Sequence, residues 1–143
     1  MTTPTTLSAA DLRAVLATYA TLLRNHREVI NRLNVYPVPD GDTGTNMTLT
    51  VESVVAALEL LGPMATLAEV GQAIAHGSLM GARGNSGVIL SQLLRGLVEE
   101  WRAVEGVGPD QLATSLAHAD DLARQAVLRP VEGTILSVAR AAA

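Results

Sequence analysis

The chain has 143 residues, 48% of them hydrophobic and 17% charged, which suits one globular domain with a buried core. Its formal net charge of −4 argues against a nucleic-acid-binding surface, and the absence of Cys excludes disulfides and thiolate metal sites. Residues 1–6 lack the basic and apolar parts of a secretory signal, and no apolar run approaches the ~18 residues of a membrane span, so we expect a cytoplasmic protein.

Apolar residues recur at helical spacing along the chain, and no segment alternates as a strand would, which predicts an all-α fold. Ser8 is the expected N-cap of the first helix, with Asp11 in the capping-box position. The helices are predicted from Ser8 to about Asn34, from about Asn46 to Leu61, from Leu67 to Met80, from Val88 to about Val104, from about Asp110 to Leu128, and from near Glu132 to the last residue.

The segment that joins the first two predicted helices reads Asn34-Val-Tyr-Pro-Val-Pro-Asp-Gly-Asp-Thr-Gly-Thr-Asn-Met47. Asp40 and Asp42 flank Gly41, which lets the backbone bend so that both carboxylates face one point. Mg²⁺ takes oxygen ligands and is commonly held by one or two carboxylates plus substrate phosphates. The helix that follows offers free N–H groups and its positive dipole end to those phosphates. Further neutral oxygens and donors come from Thr43, Thr45 and Asn46.

This acidic loop has two competing interpretations. Pro-Asp-Gly is ordinary turn chemistry, and an Asp or Thr before a helix usually serves only as its N-cap. A calcium-binding EF-hand is rejected because the fifth position holds Gly44, the glycine position holds Thr45 and the twelfth holds Val51 instead of Glu. The loop alone therefore leaves a metal site and a capped turn open.

A second glycine-rich segment, Gly81-Ala-Arg-Gly-Asn-Ser-Gly87, directly precedes the fourth predicted helix. Small residues let a ligand approach the backbone, and Ser86 is placed to cap the helix and face a phosphate oxygen. The segment is not a Walker A loop, since no Lys-Ser/Thr follows the last glycine, and no strand precedes it as in a dinucleotide fingerprint. Taken alone, it is more typical of a helix–helix connector, and Arg83 is at least as typical of a solvated surface side chain as of a phosphate partner.

A third interruption, Pro130-Val-Glu-Gly-Thr134, offers Glu132 and Thr134 as candidates for a pocket rim. Pro at the head of a helical turn is the plainer interpretation. The three histidines share no spacing or partner motif, and no Ser sits in a nucleophile elbow, so no catalytic residue is assigned.

Taken together, the three segments resemble the nucleotide-binding (DhaL-type) domain of the dihydroxyacetone kinase family. The likeness lies in residues 34–47, in Met80-Gly-Ala-Arg-Gly-Asn-Ser-Gly-Val-Ile-Leu-Ser-Gln92 continuing to Gly96, and in Arg129-Pro-Val-Glu-Gly-Thr-Ile-Leu136. Within the family, the chain looks most like the N-terminal domain of bacterial fatty acid kinase. The resemblance implies an antiparallel α-helical barrel whose mouth holds ATP or ADP together with Mg²⁺.

The resemblance also implies roles for individual residues. Asp40 and Asp42 would be metal ligands. Asn34 stands near the place of a third metal Asp in the dihydroxyacetone branch, where its neutral oxygen could substitute. Phosphate contacts would come from Thr43, Gly44, Asn46, Asn85, Ser86 and Gly87. Leu90 and Thr134 would lie on the nucleoside side of the pocket.

In the fatty acid kinase branch, the γ-phosphate of ATP passes to the carboxylate of a fatty acid presented by a DegV-type lipid-binding protein, which the resemblance implies as a partner. Two alternatives stay open, a dihydroxyacetone phosphotransferase subunit that retains ADP and an inactive truncated helical module. The sequence stops in mid-helix at Arg140-Ala-Ala-Ala143. We therefore expect residues 1–143 to be a single domain that lacks its closing helices and exposes an apolar face where they would pack, with homodimer formation or marginal stability as the consequence.

Overall fold

The computed structural model describes residues 5–35 and 38–143. The N-terminal residues 1–4, which entered the signal-peptide argument, and Tyr36 and Pro37 of the acidic motif lie outside the described residues. The described residues form six helices: α1 (Ala9–Leu33), α2 (Thr43–Glu59), α3 (Leu67–Gly81), α4 (Gly84–Glu99), α5 (Pro109–Gln125) and α6 (Ile135–Ala142). In the same ranges, the β-structure consists of an isolated bridge between Leu7 and Val107, so the all-α prediction is confirmed.

Several helix boundaries differ from the predicted ones. The second and fourth helices begin three and four residues early, at Thr43 and Gly84, so their glycine-rich starts are first helical turns and not loops. The fourth helix ends at Glu99, and the turn after it places Trp101 in the core. The fifth helix ends early and the sixth begins late, because the segment between them around Pro130 forms no helix.

The starts of α1 and α3 are closed by their own side chains. The Ser8 hydroxyl accepts the Asp11 N–H at 3.1 Å, and the Asp11 carboxylate accepts the Ser8 N–H at 2.8 Å. Thr66 and Glu69 form the same capping box at α3. The hydrogen bonds donated by Ser8 and Thr66 lower the pKa of the Asp11 and Glu69 carboxyls, since they stabilise the ionised forms.

Helices α2, α3 and α4 alternate in direction along the bundle. Gly81 at the end of α3 packs against Ser53 of α2, and Gly71 near the start of α3 packs against Val98 near the end of α4. Consecutive helices are therefore antiparallel, and α2 and α4 start at the same end of the bundle. Helix α5 continues the alternation, since Gly96 of α4 packs closely on the backbone of Ala119.

The core between these helices is aliphatic, with one large aromatic side chain. Val51, Val54, Val70 and Ile74 are fully buried where α2 meets α3. Trp101 is also buried, and its indole N–H donates to the Ser115 hydroxyl at 2.7 Å, which satisfies the polar atom inside the core. None of the helices in the described ranges combines the length and the apolar character that crossing a membrane requires.

Helix α1 carries an exposed apolar stripe on the side away from this core. Val15, Leu22 and Val29 recur every seven residues along it, and their exposed fractions are 51%, 49% and 45%. A shallow groove beside the first two is lined by Ala14, Val15, Thr18, Tyr19 and Leu22. These residues give the exposed side of α1 an apolar face.

Candidate functional site

The acidic loop between α1 and α2 presents two exposed carboxylates. Gly41 between them has φ +69°, a left-handed conformation that favours glycine, and Asp40 and Asp42 both lie at the surface. The side-chain amide of Asn34, at the end of α1, donates to Asp40 Oδ1 at 2.5 Å. Asn34 and Asp40 are thus joined through their side chains. The side-chain oxygen of Asn34 accepts no hydrogen bond from the described residues and is left for another partner.

Asp42 occupies the N-cap position of α2 but makes no side-chain hydrogen bond to the helix. A side chain from another helix takes that role: Asn31 Oδ1 of α1 accepts the Thr45 N–H at 3.0 Å. The Asn31 amide nitrogen also donates to the Thr45 hydroxyl at 3.0 Å. The capped-turn interpretation of Asp42 is therefore wrong, and its carboxylate is not used by the start of α2.

Gly44 brings α2 into direct contact with α1. It is buried, and a Cβ atom added there would collide with the backbone carbonyl oxygen of Arg27. Packing against α1 therefore accounts for glycine at this position. Among the described residues, the N–H groups of Thr43 and Gly44 have no hydrogen-bond acceptor, which leaves two donors at the start of α2.

The start of α4 lies directly beside the start of α2. Gly84 has φ +62°, and a Cβ atom added to it would collide with the side-chain amide of Asn46. The residue in the N-cap position is Arg83, which makes no side-chain cap, and Ser86 is the third residue of the helix. The prediction that Ser86 caps α4 is wrong, because the helix begins two residues before Ser86.

A buried hydroxyl fixes the spacing between these two helix starts. Thr50 of α2 is fully buried, donates to the Asn46 carbonyl at 2.7 Å and accepts the Arg83 N–H at 3.2 Å. Gly87 packs on the same hydroxyl, since an added Cβ would lie 2.6 Å from Thr50 Oγ1. The glycine-rich segment is therefore held against the acidic loop and is more than a connector.

The resulting end of the bundle suits an anion and a cation together. In the part of the chain that the structure describes, no acceptor pairs with the N–H groups of Gly84, Asn85 and Ser86, which join those of Thr43 and Gly44. The two helix dipoles point their positive ends to this surface. Two carboxylates and an amide oxygen lie next to it, and no group of three or more His, Cys, Asp or Glu that could hold a metal occurs in the described ranges. Such a sparse donor set fits Mg²⁺ that takes its remaining ligands from phosphates and water.

Three other predicted residues lie in different surroundings. Leu90 is a core residue of α4 with 4% of its surface exposed. Thr134 caps α6, since its hydroxyl accepts the Leu136 N–H at 3.3 Å and donates to the Val131 carbonyl at 2.7 Å. Within the described ranges, no hydrogen bond joins Thr134 to either loop. The guanidinium of Arg83 is exposed and donates to the neighbouring Ala82 carbonyl at 3.2 Å.

Sequence reasoning missed Asn31 and Thr50, the two side chains that hold the site together. Asn31 offers a weak signal, since Asn is a poor helix former and here lies in a helix beside Ile30 and Leu33. Thr50 offers none, because a Thr at a helical position bonding to the carbonyl four residues earlier is common. Both act between helices, and spacing along one helix does not report such contacts.

Comparisons with known proteins identify the family of the chain. A family model described as the DAK2 domain matches residues 37–143. Over 121 residues, the chain is 51% identical to an uncharacterized protein of Staphylococcus saprophyticus, and 50% and 48% identical to uncharacterized proteins of Staphylococcus haemolyticus and Staphylococcus epidermidis. Each alignment covers 85% of this chain and 22% of the relative, so the chain spans about a fifth of the length of these relatives. The chain belongs to the DAK2 domain family, the nucleotide-binding domain of the dihydroxyacetone kinase family.

Proposed function

We propose that the chain binds ATP with Mg²⁺ and serves as the nucleotide domain of a cytoplasmic kinase that phosphorylates the carboxylate of a fatty acid. A DegV-type fatty-acid-binding protein would present that acid. The observation that carries the proposal is the meeting of two helix starts, at Thr43 and Gly84, which keep N–H groups without an acceptor in the described ranges, beside the exposed carboxylates of Asp40 and Asp42. This combination of unpaired N–H donors and acidic oxygens matches the polyphosphate and the cation of a nucleotide.

Each predicted site residue has a role in this proposal. Asp40 and Asp42 would hold the cation, and Asn34, whose side-chain amide donates to Asp40, would orient that carboxylate and offer its own side-chain oxygen as a further ligand. The backbone and side chains that receive the phosphates are those of Thr43, Gly44, Asn46, Asn85, Ser86 and Gly87. Leu90 would support the nucleoside side of the pocket from the core, and Thr134 is proposed for the same side although its hydroxyl caps α6. Bound Mg²⁺ would neutralise the charge of the phosphates.

Phosphoryl transfer does not require these residues to form covalent bonds with the substrates. A carboxylate oxygen of the fatty acid forms a bond to the γ-phosphorus while the bond from that phosphorus to the β–γ bridging oxygen breaks, which gives an acyl phosphate and ADP. The acceptor is already ionised, so no general base is required. The chain contributes the positioning of the phosphates and the stabilisation of their charge.

A second candidate function is that of a dihydroxyacetone phosphotransferase subunit, which keeps ADP as a bound coenzyme. The family assignment favours it equally, since the DAK2 domain is that of the dihydroxyacetone kinase family. The departure from that branch is Asn34, which stands where a third acidic ligand would be and weakens retention of the metal and nucleotide. An inactive helical module would bind no nucleotide at all.

Nucleotide exchange separates these candidates. We expect the purified chain to carry little nucleotide and to exchange a fluorescent ATP analogue in the presence of Mg²⁺ within seconds. Chain that is isolated with stoichiometric ADP, and that releases it only over hours, would support the phosphotransferase subunit instead. Chain that neither carries nor binds nucleotide would contradict the proposal.

We also propose that the apolar stripe of α1 is covered by a second copy of the chain. Val15, Leu22 and Val29 are each about half exposed, and covering them on two chains would remove apolar surface from water. We expect sedimentation velocity to show a dimer at micromolar concentration, and Leu22→Glu to shift it to monomer without loss of helicity. A wild-type chain that sediments as a monomer at high concentration would contradict the dimer.

A further inference from the structure

We propose that Asn31 is a positioning residue that keeps the carboxylate of Asp42 available to a cation, an inference that rests on the proposed function. Its basis is the way α2 begins. Ser8 and Thr66 cap their own helices with their side chains, whereas the residue in the same position of α2, Asp42, does not. Asp is among the best N-cap residues, so its failure to cap needs a cause.

The hydrogen bonds of Asn31 account for one of the two donors that such a cap would use, the N–H of Thr45. An N-cap side chain usually accepts the N–H of the second or third helical residue. In α2 the third residue is Thr45, and its N–H already donates to Asn31 Oδ1 at 3.0 Å. The other end of the same amide donates to the Thr45 hydroxyl at 3.0 Å, so the carboxamide is fixed by two bonds.

The backbone of Asp42 points to the same conclusion. Ser8 and Thr66 have the extended backbone of a capping residue, with ψ 172° and 163°. Asp42 has φ −117° and ψ 0°, which lies outside the extended region that the two capping residues occupy. The backbone carbonyl oxygen of Asn31 would lie 3.8 Å from a Cβ atom added to Gly41, so Asn31 is close to the loop on both sides of Asp42.

Removal of the Asn31 amide would leave the Thr45 N–H without its acceptor. An unsatisfied helix-start donor recruits a nearby carboxylate, and Asp42 is in the position from which such caps form. The carboxylate would then be shared between the helix and the cation. Groups that orient metal ligands in this way typically change metal affinity about 10- to 100-fold when they are lost.

The test uses Mn²⁺ as a spectroscopic probe, titrated into the chain with and without ATP and followed by electron paramagnetic resonance. We expect Asn31→Ala to weaken Mn²⁺ binding by about 10-fold or more. Thr66→Ala is the matched control, since it removes a helix cap of similar stability from α3 and should leave Mn²⁺ affinity unchanged. If Asn31→Ala does not fold, Asn31→Ser replaces it, because the shorter hydroxyl cannot span the same distance.

A double-mutant cycle separates positioning from simple support of the fold. If Asn31 acts through Asp42, adding Asn31→Ala to Asp42→Asn should lower the melting temperature further but change Mn²⁺ affinity little. Equal Mn²⁺ affinity of wild type and Asn31→Ala would overturn the inference. So would an undiminished effect in the Asp42→Asn background, or an equal loss in Thr66→Ala. A wild-type chain that binds no Mn²⁺ in the presence of ATP would overturn the proposed function as well.

Discussion

Replacing Gly44 with alanine is expected to lower the free energy of unfolding by about 3 kcal/mol, the upper end of the range for overpacking. The added methyl group would collide with the carbonyl oxygen of Arg27 and lie 2.9 Å from Asn31 Oδ1. Backbone atoms of a neighbouring helix cannot move to relieve the clash as the end of a flexible side chain can. The gain in helix propensity from Gly to Ala, about 1 kcal/mol, is too small to offset the clash.

Urea denaturation measures this effect, and Gly62→Ala is its matched control. Gly62 has open space where a Cβ would lie, so the same chemical change there should leave the midpoint nearly unchanged. Because Gly44 sits between Asp42 and Asn46, the Gly44→Ala variant should also bind nucleotide poorly. A midpoint equal to or above that of wild type would show that α1 and α2 do not meet as described.

The double variant Asp40→Asn and Asp42→Asn is expected to lose Mg²⁺-dependent ATP affinity by at least ~100-fold, beyond the range for groups that only orient ligands. Both side chains are exposed, and Asp42 caps no helix, so the two substitutions remove negative charge without removing a structural contact of Asp42. The melting temperature should therefore change little. Binding of a fluorescent ATP analogue at a fixed Mg²⁺ concentration provides the measurement.

Asp110→Asn is the control for this charge change. Asp110 is an exposed Asp in the first turn of α5, which starts at the opposite end of the bundle from α2 and α4. Loss of affinity in that variant would mean that overall charge, and not the acidic loop, governs binding. Retention of affinity in the double Asp variant would separate the acidic loop from nucleotide binding altogether.

The fold was largely predictable, because apolar spacing alone identifies all six helices in the described ranges. Errors occurred where a helix starts with glycine and polar residues, at Thr43 and Gly84. Local propensity favours a loop there, but close packing against a neighbouring helix, as at Gly44, requires a residue without a side chain. Tertiary contacts therefore override the local pattern at the same two places where the candidate site lies.

The candidate site was predictable only in part. Asp40, Gly41 and Asp42 suggested a cation site in the acidic loop, but the same residues are also typical of an ordinary turn before a helix. Its adjacency to the glycine-rich segment followed from family resemblance alone, because residues 42 and 84 are far apart in sequence. This adjacency depends on hydrogen bonds made by Asn31 and Thr50. Both bonds join different helices, so they produce no periodic pattern in the sequence.

The most direct test of the central claim is a calorimetric titration of ATP into the wild-type chain, first with Mg²⁺ and then after its removal by a chelator. If the free N–H groups of two helix starts receive the phosphates while Asp40 and Asp42 hold the cation, ATP should bind with one site per chain in Mg²⁺. Affinity should then fall by at least ~100-fold without the metal, since the acidic loop repels the uncompensated phosphates. Equal affinity in both conditions, or no heat of binding in either, would contradict the account.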